Sequence, residues 1–293
     1  MNTKPSDHET VLVTGACGHI GREVCRLLRN SGIKVVPADV GGDATDEFFP
    51  CDLKRPDQIS KVFRSHAVRT VVHLAGILPS AFLADSLQGA EVNLAGTIHL
   101  MRAAMNHGAK RFVFASSMSV YGSSSASQPL SEDDPAEPDE PYGASKRAIE
   151  LVGAALADRG TMGFVSLRIA RVVGPGIRKT SSPWRAQIFE SPSKQNPIRI
   201  PFGPNASLSL VHVEDVARML VILVTAGRLR SGIYNTPAEI WRVGKLQEAV
   251  QKNLSVSVEL IDNGAEGGPL CDGKRFTQEF SFQLQGLASR IGK

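Results

Sequence analysis

Along the first half of the chain, short apolar runs alternate with longer stretches of helical period. Thr10–Thr14, Lys34–Ala38, Thr70–Ala75 and Arg111–Ser116 read as strands, and Ile20–Asn30, Pro56–Ser65 and Ala90–Asn106 as the helices between them. Tyr142–Asp158 and Phe164–Val172 continue the rhythm as helix and strand. Strands joined in this way must be parallel, because only a crossover of a dozen or more residues returns the chain to the same end of a sheet. The pattern therefore predicts an α/β fold, a doubly wound parallel sheet of Rossmann type. After Gly174 the texture changes: the stretch from Pro175 to Ser209 is rich in proline and serine and has no clear period. Leu210–Ala226 then reads as strand and helix, Gly232–Asn235 as a short strand and Val243–Leu254 as a helix, so the chain is expected to revisit the main sheet.

Composition narrows the partners. The 293 residues are 42% hydrophobic and 21% charged, as in an ordinary soluble globular protein. No apolar run reaches the length of a membrane helix, and residues 1–9 are polar and read as a flexible tail rather than a secretory signal. Cys17, Cys25, Cys51 and Cys271 show no C-x-x-C spacing and the histidines form no ligand pattern, so no metal and a reducing, cytoplasmic setting are expected. The net charge of +4 comes without a basic run, which favours an anionic small molecule over nucleic acid as partner.

The strand Val11–Thr14 runs into Gly15, Gly18 and Gly21, a G-x-x-G-x-x-G turn. Glycines at this spacing allow a tight turn, close backbone approach to a pyrophosphate and close packing of the next helix, whose N-terminus then holds the anion. His19 and Ile20 complete the turn and are counted with it. Asp39 ends the second strand, where a carboxylate accepts from ribose hydroxyls and repels a 2′-phosphate. The cofactor expected is NAD rather than NADP.

Tyr142 and Lys146 stand four residues apart at the start of a helix, on one face. An ammonium there is expected to lower the phenol's pKa and make it an acid or base toward a secondary alcohol or ketone. Ser116-Ser117, with Val120-Tyr121-Gly122, follows a strand, so its hydroxyls fall at the carboxyl edge of the sheet. With Cys51-Asp52-Leu53, His73-Leu74-Ala75-Gly76, Asn93 to Thr97, and Arg168 before Gly174-Pro175, these motifs resemble, in order and spacing, the extended short-chain dehydrogenase/reductases. The branch resembled is the NAD-dependent epimerase/dehydratase family.

The resemblance implies roles. Tyr142 transfers the proton, Lys146 binds the nicotinamide ribose, and Ser117 hydrogen-bonds the reacting oxygen. Asp52, Leu53, Leu74, Ala75, Gly76, Asn93 and Ser116 are counted with the cofactor contacts, although Asn93 reads more readily as a brace between the central helix and the sheet. Ser80 falls where relatives contact substrate. Residues 10–174 are expected to form the NAD-binding domain, with its sheet completed from 210–236, and 175–209 with 237–293 a substrate-binding lobe. A homodimer through the helices holding Asn93–Asn106 and Tyr142–Asp158 is also implied.

Departures from the family pattern bear on substrate. Met118 and Ser119 occupy positions that are acidic in dehydratases, which argues against elimination. Arg171 replaces an asparagine of nucleotide-sugar enzymes, and Leu208-Ser209-Leu210 stands where they carry an arginine. Arg171, Arg178, Lys179 and Arg185 form a basic stretch around Trp184, and Arg171 or Arg185 is expected to grip an acidic part of the substrate. The main expectation is a nucleotide-sugar epimerase acting on an anionic sugar-type substrate. The alternatives are an NAD-dependent dehydrogenase of a sugar acid, polyol or other hydroxy acid, and, more remotely, a non-catalytic dinucleotide-binding protein.

Overall fold

The computed structural model describes residues 10–43, 46–123, 128–160, 162–177, 182–190 and 196–292. The expected tail and the basic residues Arg178 and Lys179 lie outside the described residues. The first half contains β1 (Thr10–Thr14), α1 (His19–Asn30), β2 (Lys34–Asp39), β3 (Phe49–Pro50), α2 (Pro56–Ser65), β4 (Val68–His73), α3 (Pro79–Ala84) and α4 (Ser86–Ala90). A π-helical turn (Glu91–Gly96), α5 (Thr97–Asn106), β5 (Arg111–Ser117), a 3₁₀ turn (Met118–Tyr121), α6 (Pro141–Arg159) and β6 (Gly163–Ile169) follow. Beyond these come β7 (Arg171–Val173), α7 (Trp184–Gln187), β8 (Ile198–Ile200), β9 (Ser207–His212), α8 (Val213–Thr225), β10 (Ile233–Asn235), β11 (Glu239–Arg242), α9 (Val243–Leu254), β12 (Val258–Leu260) and α10 (Lys274–Phe280).

The main sheet is parallel, in the order β10-β6-β5-β4-β1-β2-β3. The order reverses between β1 and β4, which opens a crevice at their carboxyl ends, the position where such sheets bind ligands. Both faces are covered, so the central strands are apolar throughout. Val11 and Val13 of β1 and Val72 of β4 pack on one face with α1 and α8. Leu12 and Val71 pack on the other with Ile59 and Val62 of α2, Leu100 and Met101 of α5, and Ile149 of α6.

The run read as one strand over Phe164–Val172 is two. At Ala170 the backbone N–H turns to the Thr236 hydroxyl at 3.0 Å, while Thr236 N–H bonds the Arg168 carbonyl at 3.0 Å. The chain thereby leaves the main sheet, and β7 joins a second sheet, β11-β9-β7. The expected return to the main sheet is made by β10 alone, since β9 pairs with β7 and β11. The segment from Pro175 to Ser209, read as irregular, holds α7 and β8 within a separate apolar core around Trp184, Phe202, Leu208 and Leu246. The helix expected over Ala90–Asn106 begins with a π-helical turn, in which Gly96 is buried and a Cβ would meet Leu53 Cβ at 2.7 Å. No helix among the described residues is long and apolar enough to cross a membrane.

Gly21 fixes how α1 docks. A Cβ there would overlap the Gly15 carbonyl oxygen. Gly21→Ala is therefore expected to cost about 1–3 kcal/mol as the turn moves aside. Gly41→Ala, at a position with nothing within 4 Å, should leave stability unchanged. Urea midpoints of the two variants check this, and equal midpoints would contradict it.

Candidate active site

The glycine turn presses directly on the next strand's exit. Gly15 has φ +67°, and a Cβ on it would meet Ala75 N at 2.7 Å and the Leu74 carbonyl carbon at 2.8 Å. Backbone thus lies against backbone, with Leu74 N–H bonded to Thr14 O at 3.2 Å. Gly18 caps α1 in an extended conformation, with no side chain on the first-turn amides. The first helix-closing bond runs from Arg22 N–H to Gly18 O at 3.0 Å. The amides of His19, Ile20 and Gly21, with the positive end of the helix dipole, therefore make an anion cradle of pyrophosphate kind.

One end of this cradle is acidic. Asp39 accepts from Cys17 N–H at 2.9 Å and Val40 N–H at 2.8 Å, which fixes its carboxylate beside the turn. The nearby cation, Arg22, is spent on Asp43 at 2.9 Å and Asp46 at 2.6 Å. A 2′-phosphate here would meet carboxylates and an arginine already paired. Asp52 folds onto its own loop, accepting from Lys54 N–H at 2.9 Å, and Leu53 is buried under Gly96.

The loop after β4 is held from two sides. Buried His73 is bonded through Nδ1 to the Thr14 hydroxyl at 2.6 Å and through Nε2 to the Thr97 hydroxyl at 2.9 Å, and burial, aided by the nearby Lys146 ammonium, pulls it down to about 3. It stays neutral and works as a brace. Asn93 spends its amide on Ile77, accepting from N–H at 2.7 Å and donating to the carbonyl at 3.0 Å. Its placement is that of a brace for the Gly76–Ile77 loop. Gly76 lies between these groups and α6, since a Cβ there would sit 3.1 Å from Asn93 Oδ1 and 3.7 Å from Lys146 Nζ.

Ser117, Tyr142 and Lys146 come together at the carboxyl edge. Pairing of β5 with β6 sets Ser117 opposite Ile169, and α6 starts beside the 3₁₀ turn that Ser117 caps. Gly143 makes that approach tight, because a Cβ on it would overlap the Ser119 carbonyl. Lys146 Nζ donates to Ala115 O at 2.8 Å and sits 4.8 Å from the Phe114 ring centre and 5.6 Å from that of Tyr142. Burial lowers the lysine to about 8 against the pull of Glu150. Burial raises Tyr142 to about 12, opposed by a hydrogen bond with Ser117. The phenol is raised by burial rather than lowered as expected, and the lysine gives its hydrogen bond to the Ala115 carbonyl.

Ser116, expected beside the cofactor, is turned into the core and donates to Glu150 at 2.6 Å. Glu150 pairs with Arg168 at 2.7 Å, and Arg168 donates to the Tyr121 hydroxyl at 2.7 Å, which removes Tyr121 from direct chemistry. Sequence reasoning missed Glu150 and His73 as site residues. The signal for Glu150 was its place one turn beyond Lys146 on the same helix face.

Substrate-side expectations are spread out. Ser80 is exposed on the first turn of α3. Arg171 donates to Gly267 O at 3.1 Å and stacks 5.0 Å from the Phe202 ring, and among the described residues no carboxylate pairs with it. Burial and then the Arg185 cation lower it to about 10. Arg185, on α7, is near enough to Arg171 and to His19 for its charge to lower both. Leu208 is wholly buried. A cavity of about 450 Å³ in the C-terminal lobe is lined by Asn205, Asp262 and Glu266 among backbone of Gly203–Ser207.

Residues 11–236 match the model of the NAD dependent epimerase/dehydratase family. The UDP-glucose 4-epimerase of Bacillus subtilis (strain 168) is 33% identical over 159 residues, covering 48% of this chain and 46% of that one. The chain spans about half the length of the curated relatives it matches. Among solved structures, the UDP-glucose 4-epimerase of Thermus thermophilus in complex with NAD is 25% identical with a TM-score of 0.84, covering 97% of this chain and 96% of that one. L-threonine dehydrogenase from Phytophthora infestans, 22% identical with a TM-score of 0.87 over 96% of each chain, shares the fold. With the family model covering most of its length, this chain belongs to the NAD-dependent epimerase/dehydratase family.

Proposed function

We propose that this chain is an NAD-dependent epimerase that inverts a carbinol of a nucleotide sugar. The observation that carries the reading is the gathering of Ser117, Tyr142 and Lys146 where the crevice between β1 and β4 opens. Similarity to UDP-glucose 4-epimerases supports the substrate class. The chemistry NAD would supply when bound is reversible acceptance of a hydride from the carbinol carbon. The amides of the first turn of α1 would hold its pyrophosphate, Asp39 its adenosine ribose and Lys146 its nicotinamide ribose.

Ser117 donates a hydrogen bond to the reacting oxygen, and Tyr142 Oη exchanges the proton with it. The carbinol O–H bond breaks as the C–H bond does, and both reform when the ketone is reduced on its other face. Because burial keeps the phenol protonated, the resting site is set to return a proton to a ketone, and its own base form depends on the Ser117 hydrogen bond. Arg171, cationic and without a carboxylate partner among the described residues, is the group proposed to meet the substrate's anion, with Arg185 beside it. Exposed Ile98 and Leu151, on α5 and α6, are the apolar surface a homodimer would use, and the free cysteines fit a cytoplasmic setting.

A second reading, net oxidation of a sugar acid, polyol or other hydroxy acid, is favoured by one observation. Leu208, buried where nucleotide-sugar enzymes carry an arginine, cannot reach a diphosphate. One assay separates the readings: UDP-sugars, sugar acids and polyols are incubated with the chain and NAD while nicotinamide absorbance and product configuration are followed. Inverted product without absorbance growth is expected, and absorbance growth in proportion to product would establish the dehydrogenase instead.

Tyr142→Phe is expected to cut turnover by ~10²–10⁴-fold while leaving NAD affinity within a few-fold. Full activity in that variant would remove the tyrosine from the mechanism. Asp39→Ala should weaken NAD by ~10-fold or more and bring NADP closer to it, since a hydrogen bond to a charged group is lost and a repulsion relieved. Calorimetric titration with each nucleotide measures this, and an unchanged NAD:NADP ratio would contradict the assignment.

A further inference from the structure

The most completely hydrogen-bonded carboxylate among the described residues lies outside the residues assigned above to substrate and cofactor. Glu150, whose side chain is fully buried, accepts four hydrogen bonds: from Ser116 Oγ at 2.6 Å, Arg168 Nε at 2.9 Å, Arg168 Nη2 at 2.7 Å and Arg147 Nη1 at 3.1 Å. Four is the full acceptor capacity of a carboxylate. The groups come from different elements, Ser116 from β5, Arg168 from β6, and Arg147 and Glu150 from α6. On β5, Ser116 directly precedes Ser117 and follows Ala115, the acceptor for Lys146. On α6, Glu150 sits one turn beyond Lys146 and two beyond Tyr142.

We propose that Glu150 is a positioning residue for the hydride-transfer site, tying the ends of β5 and β6 to α6 so that Ser117, Tyr142 and Lys146 keep register, and holding the Lys146 ammonium charged. The proposal rests on the functional reading above in that it assigns Lys146 to the nicotinamide ribose. A core helix needs no such carboxylate for stability, because a buried pair is often replaceable by apolar groups without loss. Its retention here beside Lys146 is explained by what it does to that lysine.

The groups that face Lys146 make Glu150's charge decisive. From β4 comes His73, held neutral by burial; from β5 come the Ala115 carbonyl and the Phe114 ring. The π-helical turn contributes the uncharged Asn93, and α6 itself Tyr142, kept protonated by burial. Glu150 is thus the anion that opposes desolvation of the ammonium, and burial already brings Lys146 down to about 8. Arg168 and Arg147 stand behind the carboxylate and temper it. A unit charge one helical turn away, ~6 Å, at an effective dielectric of ~20 moves a pKa by about one to two units.

The test is the pH dependence of NAD affinity, measured by calorimetric titration on the full chain from pH 6 to 10, with turnover as a second readout. In the parent protein, affinity falls as pH rises past the point where Lys146 loses its proton. Glu150→Gln keeps the shape and one accepting oxygen but removes the charge, so the fall is expected about one pH unit or more lower, with affinity at pH 6 within a few-fold of the parent. Because Glu150→Gln leaves Arg168 buried and unpaired, the paired variant Glu150→Gln, Arg168→Met is measured beside it, and a smaller displacement in the same direction is expected, since the cation that tempers the carboxylate is removed with it.

A folded variant whose affinity and turnover drop equally at every pH, with the fall in its original place, would show a purely structural role and overturn the proposal. Failure of both variants to fold would do so too. The affinity readout needs no substrate, so a chain that binds NAD but turns over nothing offered to it would count against the proposed function and leave this test intact.

Discussion

The pairing of Glu150 with Arg168 is the joint on which this protein's active edge is hung. Two charges removed from water incur a large desolvation cost, and only near-ideal geometry offsets it. Here the guanidinium meets the carboxylate through Nε and Nη2 and gives its remaining arm to Tyr121, while Ser116 and Arg147 complete the carboxylate. Such a joint has one low-energy arrangement, so β5, β6 and α6 meet in one register. The hydroxyl of Ser117, the phenol of Tyr142 and the ammonium of Lys146 inherit that register without being part of it.

The other half of the site is backbone. Gly15 and Gly21 let the turn after β1 lie against the exit of β4 and the start of α1, so the anion cradle and the edge carrying Ser117 share one sheet. Charge is graded along the crevice. Carboxylates of Asp39, Asp43 and Asp46 stand at the ribose end, uncapped amides follow, and Arg185 and Arg171 occupy the side toward the lobe. An extended dinucleotide with one acceptor-loving end and a central pyrophosphate fits that gradient in one direction only.

Much of this was legible from residue pattern. The alternation of apolar runs and helical stretches carries the parallel sheet because a buried strand and a crossover helix each impose their own period. The glycine turn and the Tyr142/Lys146 spacing were readable because backbone approach and helical facing leave few residue choices. Glu150 and His73 were opaque for the opposite reason: a glutamate in a helix and a histidine ending a strand are ordinary until burial, which is a tertiary property, makes them costly. The break at Ala170 was hidden as well, since its cause is a hydroxyl 66 residues away at Thr236. Ser116 and Ser117 differ only in which side of the strand each faces, and the pleat sends one to Glu150 and the other toward Tyr142.

The central claim, that one sheet edge holds NAD with its reactive end at Tyr142, is tested most directly by a crystal structure of the chain grown with NAD. The account predicts pyrophosphate oxygens on the first-turn amides of α1, adenosine ribose hydroxyls on Asp39, and Lys146 Nζ within ~2.6–3.2 Å of a nicotinamide ribose hydroxyl. A nicotinamide bound away from Tyr142 and Lys146, or a pyrophosphate that leaves the Gly15–Gly21 turn empty, would contradict it.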